Sequence, residues 1–443
     1  MNSLIYIIGF ITLILVITAI HEAGHYSVAR FFKVTILDFS IGMGRSLKSW
    51  KDKAETEFHL RILPIGGFVK MKGEEEGDDA NSKDSFASKK YYQKVLILLA
   101  GPFANFFLAI IILTGLNIYG NTSLSSLVGF IDKDSPSFQA GFTKGDVILK
   151  IDSYKVYTRS EAQMALSRRL GETGDITFLV RSKENEKILN VSIKNWLQGE
   201  EPSDLLKNLG INIPIKPIIG KVLKNSPAEN SGLETDDEIL AIDNQVVTSW
   251  SEIKSNINNN LGLQSVFKVK RNEEIIYLSV VPEFSDKNNE YLIGISASNK
   301  VSQEALIYQR ENPLSAFTKA SVQTYNVVGD SFEFLYKMVT GYVSPKNLGG
   351  PVMIGQFAGE SLIYGGFYSF LLLISYVSIG LGVINLVPIP ILDGGQIVIL
   401  TIERLKGSPI SPRILDFTYR FGISAVVLLM VFAFMNDISR IGV

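Results

Sequence analysis

Four stretches of this chain are long and apolar enough to cross a hydrocarbon layer of roughly 30 Å. They run from about Leu4 to Ala29, Val95 to Tyr119, Phe367 to Val387 and Phe417 to Phe434. In lipid, such runs satisfy their backbone polar groups only as spanning helices. The 443 residues are 46% hydrophobic, with a mean hydropathy of +0.20, and the clumping of the apolar residues says more than the average. The first run is read as a retained helix and not as a signal peptide. It has no basic residue before it, it is too long, and His21-Glu22-Ala23-Gly24-His25 stands where a small-residue cleavage site would be.

Charge at the ends of the runs orients them. Arg30 and Lys33 follow the first, Lys89, Lys90 and Lys94 precede the second, and Arg404, Lys406 and Arg413 lie between the third and fourth. The opposite ends carry almost no Lys or Arg. The positive-inside rule predicts cytoplasmic first and third loops, with both termini and the long segment of about 120–365 on the outer side.

That outer segment repeats itself. Ser135-Pro136 through Asp152 aligns without gaps on Ser226-Pro227 through Asp243. In each copy Ser-Pro opens a short helix, Gly141 or Gly232 ends it, and an apolar strand and an Asp turn follow. Two mixed α/β domains are expected, at 121–205 and 208–297. They sit between 1–119, which holds the first two spans, and an amphipathic connecting segment at 298–365, with 366–443 holding the last two spans. A net charge of -1 gives nucleic acid no electrostatic footprint, and the absence of Cys excludes disulfides and thiolate metal sites.

Residues i and i+4 of a helix share a face. His21 and His25 can therefore hold one Zn²⁺, with Glu22 between them placed to meet its water. Two His and a Glu inside a bilayer-length run are costly unless they have a task. A catalytic zinc needs a third protein ligand and an open position. His59, in a charged loop, is expected to be surface-exposed and unconnected with the site. Asp393 is the better candidate: Pro388 and Pro390 break the third run, and Gly394 and Gly395 follow the aspartate. Its plain alternative is to cap the helix from Gly395 to Leu405.

The pairing of H-E-x-x-H at His21–His25 with N-x-x-P-x-P-x-L-D-G at Asn385–Gly394, roughly 360 residues apart, resembles the site-2 protease family of intramembrane zinc metalloproteases. The repeats resemble PDZ domains, and the order of parts matches bacterial members with a tandem PDZ pair between the second and third helices. The resemblance covers essentially the whole chain. It implies a polytopic α-helical membrane protein with four transmembrane helices, two inserted PDZ-like domains and membrane-associated β-hairpin loops at Asp38–Lys48 and Leu63–Lys70. It implies His21, His25 and Asp393 as zinc ligands and Glu22 as general base. Asn385, Asn105, Gly66 and Gly67 would hold substrate. The implied substrate is the transmembrane segment of a single-span protein, such as an anti-sigma factor already cut once, with the PDZ-like domains taking peptide ligands or restricting access. The implied location is a bacterial inner membrane. Clearance of remnant signal peptides by the same centre, or a non-catalytic scaffold, are the alternatives, and an intact Glu22 argues against the scaffold.

Overall fold

The computed structural model describes residues 2–74, 82–200, 204–286, 289–298 and 300–441. Residues 201–203, part of the Gly199–Ser203 stretch that the sequence reads as the linker between the two repeats, lie outside them. The chain divides into two compact units. One comprises Met1–Asn121, Arg310–Thr340 and Pro345–Val443, and the other Thr122–Gln309 with Gly341–Ser344.

The first unit opens with α1 (Asn2–Phe31), β1 (Ile36–Lys51), β2 (Glu57–Met71) and α2 (Tyr91–Tyr119). Both helices run straight through the expected spans, within which Glu22 is the only Asp, Glu, Lys or Arg. α1 and α2 cross in backbone contact. A Cβ on Gly24 would lie 2.8 Å from the carbonyl carbon of Ala100 and 2.8 Å from Ala104 Cβ. The two stretches expected as β-hairpin loops pair with each other. Residues 38–41 of β1 face residues 67–70 of β2 in antiparallel register, from Asp38↔Lys70 to Ile41↔Gly67. The same residues of β1 also face 57–60, from Asp38↔Glu57 to Ile41↔Leu60, while Trp50 and Lys51 close back on Phe58 and Glu57. Gly42 and Gly44, both at φ +84°, take the bend in β1 that lets one strand serve two neighbours. His59 is not the exposed loop residue expected. It is half-buried in this sheet, with Nε2 3.5 Å from Asp38 and 3.4 Å from Glu57.

The second unit contains β3 (Asn121–Leu124), β4 (Phe130–Ile131), α3 (Pro136–Gln139), β5 (Val147–Ile151), β6 (Tyr154–Lys155), α4 (Arg159–Ser167), β7 (Gly174–Ser182), β8 (Asn185–Ile193), α5 (Leu205–Asn208) and β9 (Ile211–Asn212). The second copy follows with β10 (Ile219–Val222), α6 (Pro227–Asn230), β11 (Glu238–Ile242), β12 (Gln245–Val246), α7 (Trp250–Asn259), β13 (Ser265–Arg271), β14 (Glu274–Val280), β15 (Glu283–Ser285), β16 (Glu290–Leu292), β17 (Ile295–Ala297) and β18 (Leu306–Gln309). The sheets β6-β5-β7-β8 and β12-β11-β13-β14 have one strand order. The copies also share a buried aspartate. Asp146 accepts from Thr143 N at 2.9 Å and meets Lys187 at 3.0 Å; Asp237 accepts from Glu234 N at 2.9 Å and from Arg271 Nε at 2.7 Å. Gly145 at φ +91° becomes Asp236 at φ +70° in the second copy, a left-handed position that aspartate tolerates. One boundary shifts. β9 pairs with β4, so the strand that closes the first copy ends at Asn212, beyond the boundary expected at 205–208.

The chain returns to the first unit with α8 (Pro313–Val339), α9 (Pro351–Tyr364), α10 (Gly366–Leu386), α11 (Asp393–Lys406) and α12 (Pro412–Ile441). Among the described residues, four helices are long and apolar enough to cross a membrane: Leu4–Phe31, Tyr91–Tyr119, Gly366–Leu386 and Pro412–Arg440. α9 lies along α1, where Ala358 joins Leu13, Ile17, Phe370 and Ile374 in one core cluster. The α9 N-terminus is capped from across the fold. The Asp437 carboxylate of α12 accepts from the backbone N–H groups of Gly350, Val352 and Met353 at 2.9, 2.9 and 3.0 Å.

Candidate metal centre

α10 ends at Leu386, where Pro388 and Pro390 forbid further helical hydrogen bonds, and α11 starts at Asp393. Asp393 is thus the first residue of a helix and not its cap; the capping position is Leu392, and no side chain bonds there. Gly394 and Gly395 sit against the carbonyls of Leu386 and Ile389, with no room for a Cβ on either. That packing folds the segment back and turns Asp393 toward α1.

Three side chains from the two ends of the sequence converge there. His21 Nε2 and His25 Nε2 are 3.2 Å apart. Asp393 presents Oδ2 to His21 Nε2 and Oδ1 to His25 Nε2, each at 3.4 Å. Tetrahedral zinc with bonds of about 2.0–2.1 Å sets its ligand atoms about 3.3–3.4 Å apart. The two imidazole donors, and each imidazole with the Asp393 oxygen nearest to it, stand at that spacing, so the three side chains fit a metal ion. They are also the only group of three or more His, Cys, Asp or Glu among the described residues able to hold a metal ion. The His25 ring is fixed by Nδ1 donating to the carbonyl of Ile97 at 2.8 Å, which leaves Nε2 as a lone-pair donor. Asp393 Oδ2 is buried with no hydrogen-bond partner among the described residues, the kind of buried polar atom that a cation would satisfy.

The remaining expected residues fall around this triangle. Glu22 is 7% exposed and lines, with both histidines and Asp393, a cavity of about 420 Å³. Asn385 lines it too, with Nδ2 3.3 Å from His21 Nε2. Gly66 and Gly67 of β2 form another wall. A Cβ on Gly67 would come within 3.0 Å of both Glu22 Cγ and Thr18 Cγ2, so only glycine lets the strand lie against α1 at this level. Asn105 is fully buried behind His21, with Nδ2 3.4 Å from His21 Nδ1, and is not among the described residues lining the cavity. His59 takes no part.

Motif reading misses the residues that make the crossing possible. A Cβ at Gly101 would lie 2.7 Å from His21 Cε1 and 2.7 Å from His25 Cε1, and closer still to His25 Nε2. Its position four residues before Asn105, hence on the same face of α2, is the one signal that could have revealed it. Thr18, Glu74 and Gln396, which also line the cavity, carry no such signal.

The regulator of sigma-E protease of Escherichia coli (strain K12) is 31% identical over 98% of this chain and 98% of its own length. The regulator of sigma E protease of Haemophilus influenzae is 32% identical over 98% of each. Among solved structures, the PDZ domain of an SdrC-like protein from Listeria monocytogenes shares 20% identity over 20% of this chain and 90% of its own length. Its TM-score is 0.18, and that likeness carries no argument about either repeat. Residues 9–429 match a single family, a stretch that begins within α1, ends within α12 and takes in His21, His25 and Asp393 alike, and by that match the chain belongs to peptidase family M50.

Proposed function

We propose that this chain is an intramembrane zinc endopeptidase that cuts the transmembrane segments of single-span membrane proteins, as a step in regulated proteolysis. The observation that carries the reading is the meeting of His21 and His25, on a helix of membrane-spanning length, with the Asp393 carboxylate at separations of 3.2–3.4 Å, and Glu22 on the wall of the same cavity.

His21, His25 and Asp393 hold the metal. When bound, zinc supplies Lewis-acid polarisation for peptide hydrolysis. Glu22 takes a proton from the attacking water and delivers it to the leaving amine. Asn385 offers an amide N–H₂ to the reacting carbonyl. A spanning helix hides its carbonyls in internal hydrogen bonds, so substrate must unwind before it is cut. Residues 66–69 of β2 have a partner strand on one side only among the described residues, and they offer the freed backbone a second ladder. The two repeats act as PDZ-like domains on the outer side of an inner membrane. They receive extended peptide ends or turn away substrates whose outer domain has not been trimmed.

The test uses the purified full chain with a panel of tagged single-span helices. Cleavage within the helix is expected, abolished by chelator and restored by Zn²⁺. Glu22→Gln should keep its zinc and lose at least ~10³-fold in rate. Turnover of Glu22→Gln at the wild-type rate, or cleavage indifferent to chelator, would overturn the reading.

A further inference from the structure

Asn105 is the one expected site residue that the cavity does not reach. It is fully buried, its carbonyl is held by Ser378 Oγ at 3.0 Å, and His21 stands between it and the donor triangle. Its side chain must therefore be explained by the imidazole it faces.

A neutral histidine carries its proton on one nitrogen and offers a lone pair on the other. Both rings here turn Nε2 toward Asp393, so both need the proton on Nδ1 and an acceptor for it. His25 has one in the carbonyl of Ile97, at 2.8 Å. Opposite His21 Nδ1, at 3.4 Å, stands the amide of Asn105 with its N–H₂ turned inward. Two N–H groups cannot bond each other. The Oδ1 of the same amide lies buried without a partner among the described residues. A half-turn about Cβ–Cγ exchanges the two atoms with almost no change in shape. That turn leaves one amide atom orphaned in either setting, so the amide does not decide between them. The imidazole does: only the turned amide gives the Nδ1–H an acceptor, and an unpaired N–H buried this deeply is destabilising.

We infer that Asn105 is a positioning residue for the metal. Its Oδ1 accepts from His21 Nδ1–H and so fixes the tautomer that presents Nε2 to the ion. Asn105 of α2 then does for His21 what the Ile97 carbonyl, two turns earlier on the same helix, does for His25. α2 sets the rotation of both imidazoles while contributing no ligand. Asn105 does not hold substrate, the role that the family resemblance suggested.

The inference rests on the zinc reading, and the test separates the two. The full chain is stripped of metal in detergent, and its affinity for Co²⁺ is measured from the visible spectrum in competition with a chelator. Asn105→Leu keeps the volume and removes the acceptor; Asn105→Asp keeps an acceptor at the same place. Asn105→Leu should bind Co²⁺ on the order of 10–100-fold more weakly, with an altered spectrum, and Asn105→Asp should stay within about threefold of wild type. Should Asn105→Leu fail to fold, Asn105→Ala takes its place in the comparison. Wild-type Co²⁺ affinity in the variant lacking the acceptor, with a raised KM for cleavage, would overturn the inference and return Asn105 to the substrate. Equal loss of metal in the Leu and Asp variants would overturn it as well. A wild-type chain that bound no stoichiometric Co²⁺ would sink the zinc reading itself.

Discussion

Gly101→Ala adds one methyl group to a protein of 443 residues. It should nonetheless disable the metal centre. The new Cβ would stand 2.7 Å from carbon atoms of both imidazoles, where van der Waals contact needs about 3.5 Å or more. Either the rings or α2 must therefore retreat by roughly 1 Å. α2 has little freedom, because at Gly24 its backbone already touches α1. The rings have little either, since His25 is tied to Ile97 of α2 itself. Metal–ligand distances tolerate about ±0.2 Å, so a 1 Å displacement exceeds what the triangle can absorb. A misplacement of that size costs about 10²-fold in a catalytic site, and weaker metal binding should compound it. The measurement is zinc content by elemental analysis after dialysis, together with cleavage of a single-span substrate across a range of added Zn²⁺. Gly115→Ala is the control: it lies on the same helix, and nothing approaches within 4 Å of its Cβ. Stoichiometric zinc and a rate within threefold of wild type in Gly101→Ala would show that the imidazoles are not held as described, and the argument from the α1–α2 crossing would fall.

Asp393→Asn should lower zinc affinity and cleavage together, by about 10²-fold; full metal content and rate in that variant would hand the third ligand position to another carboxylate. Asp437→Ala strands three backbone N–H groups at the α9 N-terminus. It should cost on the order of 3 kcal/mol, read as faster deuterium uptake over residues 346–353, and unchanged exchange there would refute the cap. Burial alone would raise the Asp146 pKa, but the Thr143 N–H and the Lys187 ammonium outweigh it and hold the carboxyl below its ordinary range. Its stabilisation is therefore complete above about pH 4 and lost as pH falls through the lower folded value. Exchange in β5, β7 and β8 should accelerate below pH 4, less so in Asp146→Asn, and an identical acid profile for both proteins would contradict the sign. Cysteines placed at Ala87 and Ser160, in a chain that has no other, should label from opposite sides of the membrane; labelling from one side would refute the proposed orientation.

The parts that were legible from sequence share a property: their signal is local. Each span is one long, mostly apolar run, and the i, i+4 spacing of His21 and His25 is a fact about one helix. Asp393 was legible because two prolines end α10 just before it, although that alone left open whether it capped a helix or faced a metal. What escaped was set by pairings between distant segments. The bend at Gly42 and Gly44 lets residues 38–41 serve two neighbours, and neither flank announces it. The strand closing the first repeat lies past Asn208 because Ile211 pairs with Ile131, 80 residues upstream. Gly101 matters only because α1 passes within a methyl group of it.

The sheet beside the cavity has a consequence for the protein's own safety. Residues 66–69 lie on the side of a two-stranded sheet where no further strand pairs among the described residues. Exposed on a surface, such an edge would template association between copies. Here Gly66, Gly67, Phe68, Val69 and Met71 form a wall of the cavity, and Gly67 is pressed against α1. A second folded copy cannot bring its own sheet to an edge recessed this way, whereas a single unwound chain is narrow enough to slide in. The recess thus discriminates by thickness. On the proposed function, it would keep copies of the protein off the edge and reserve that edge for chains that have already lost their helix.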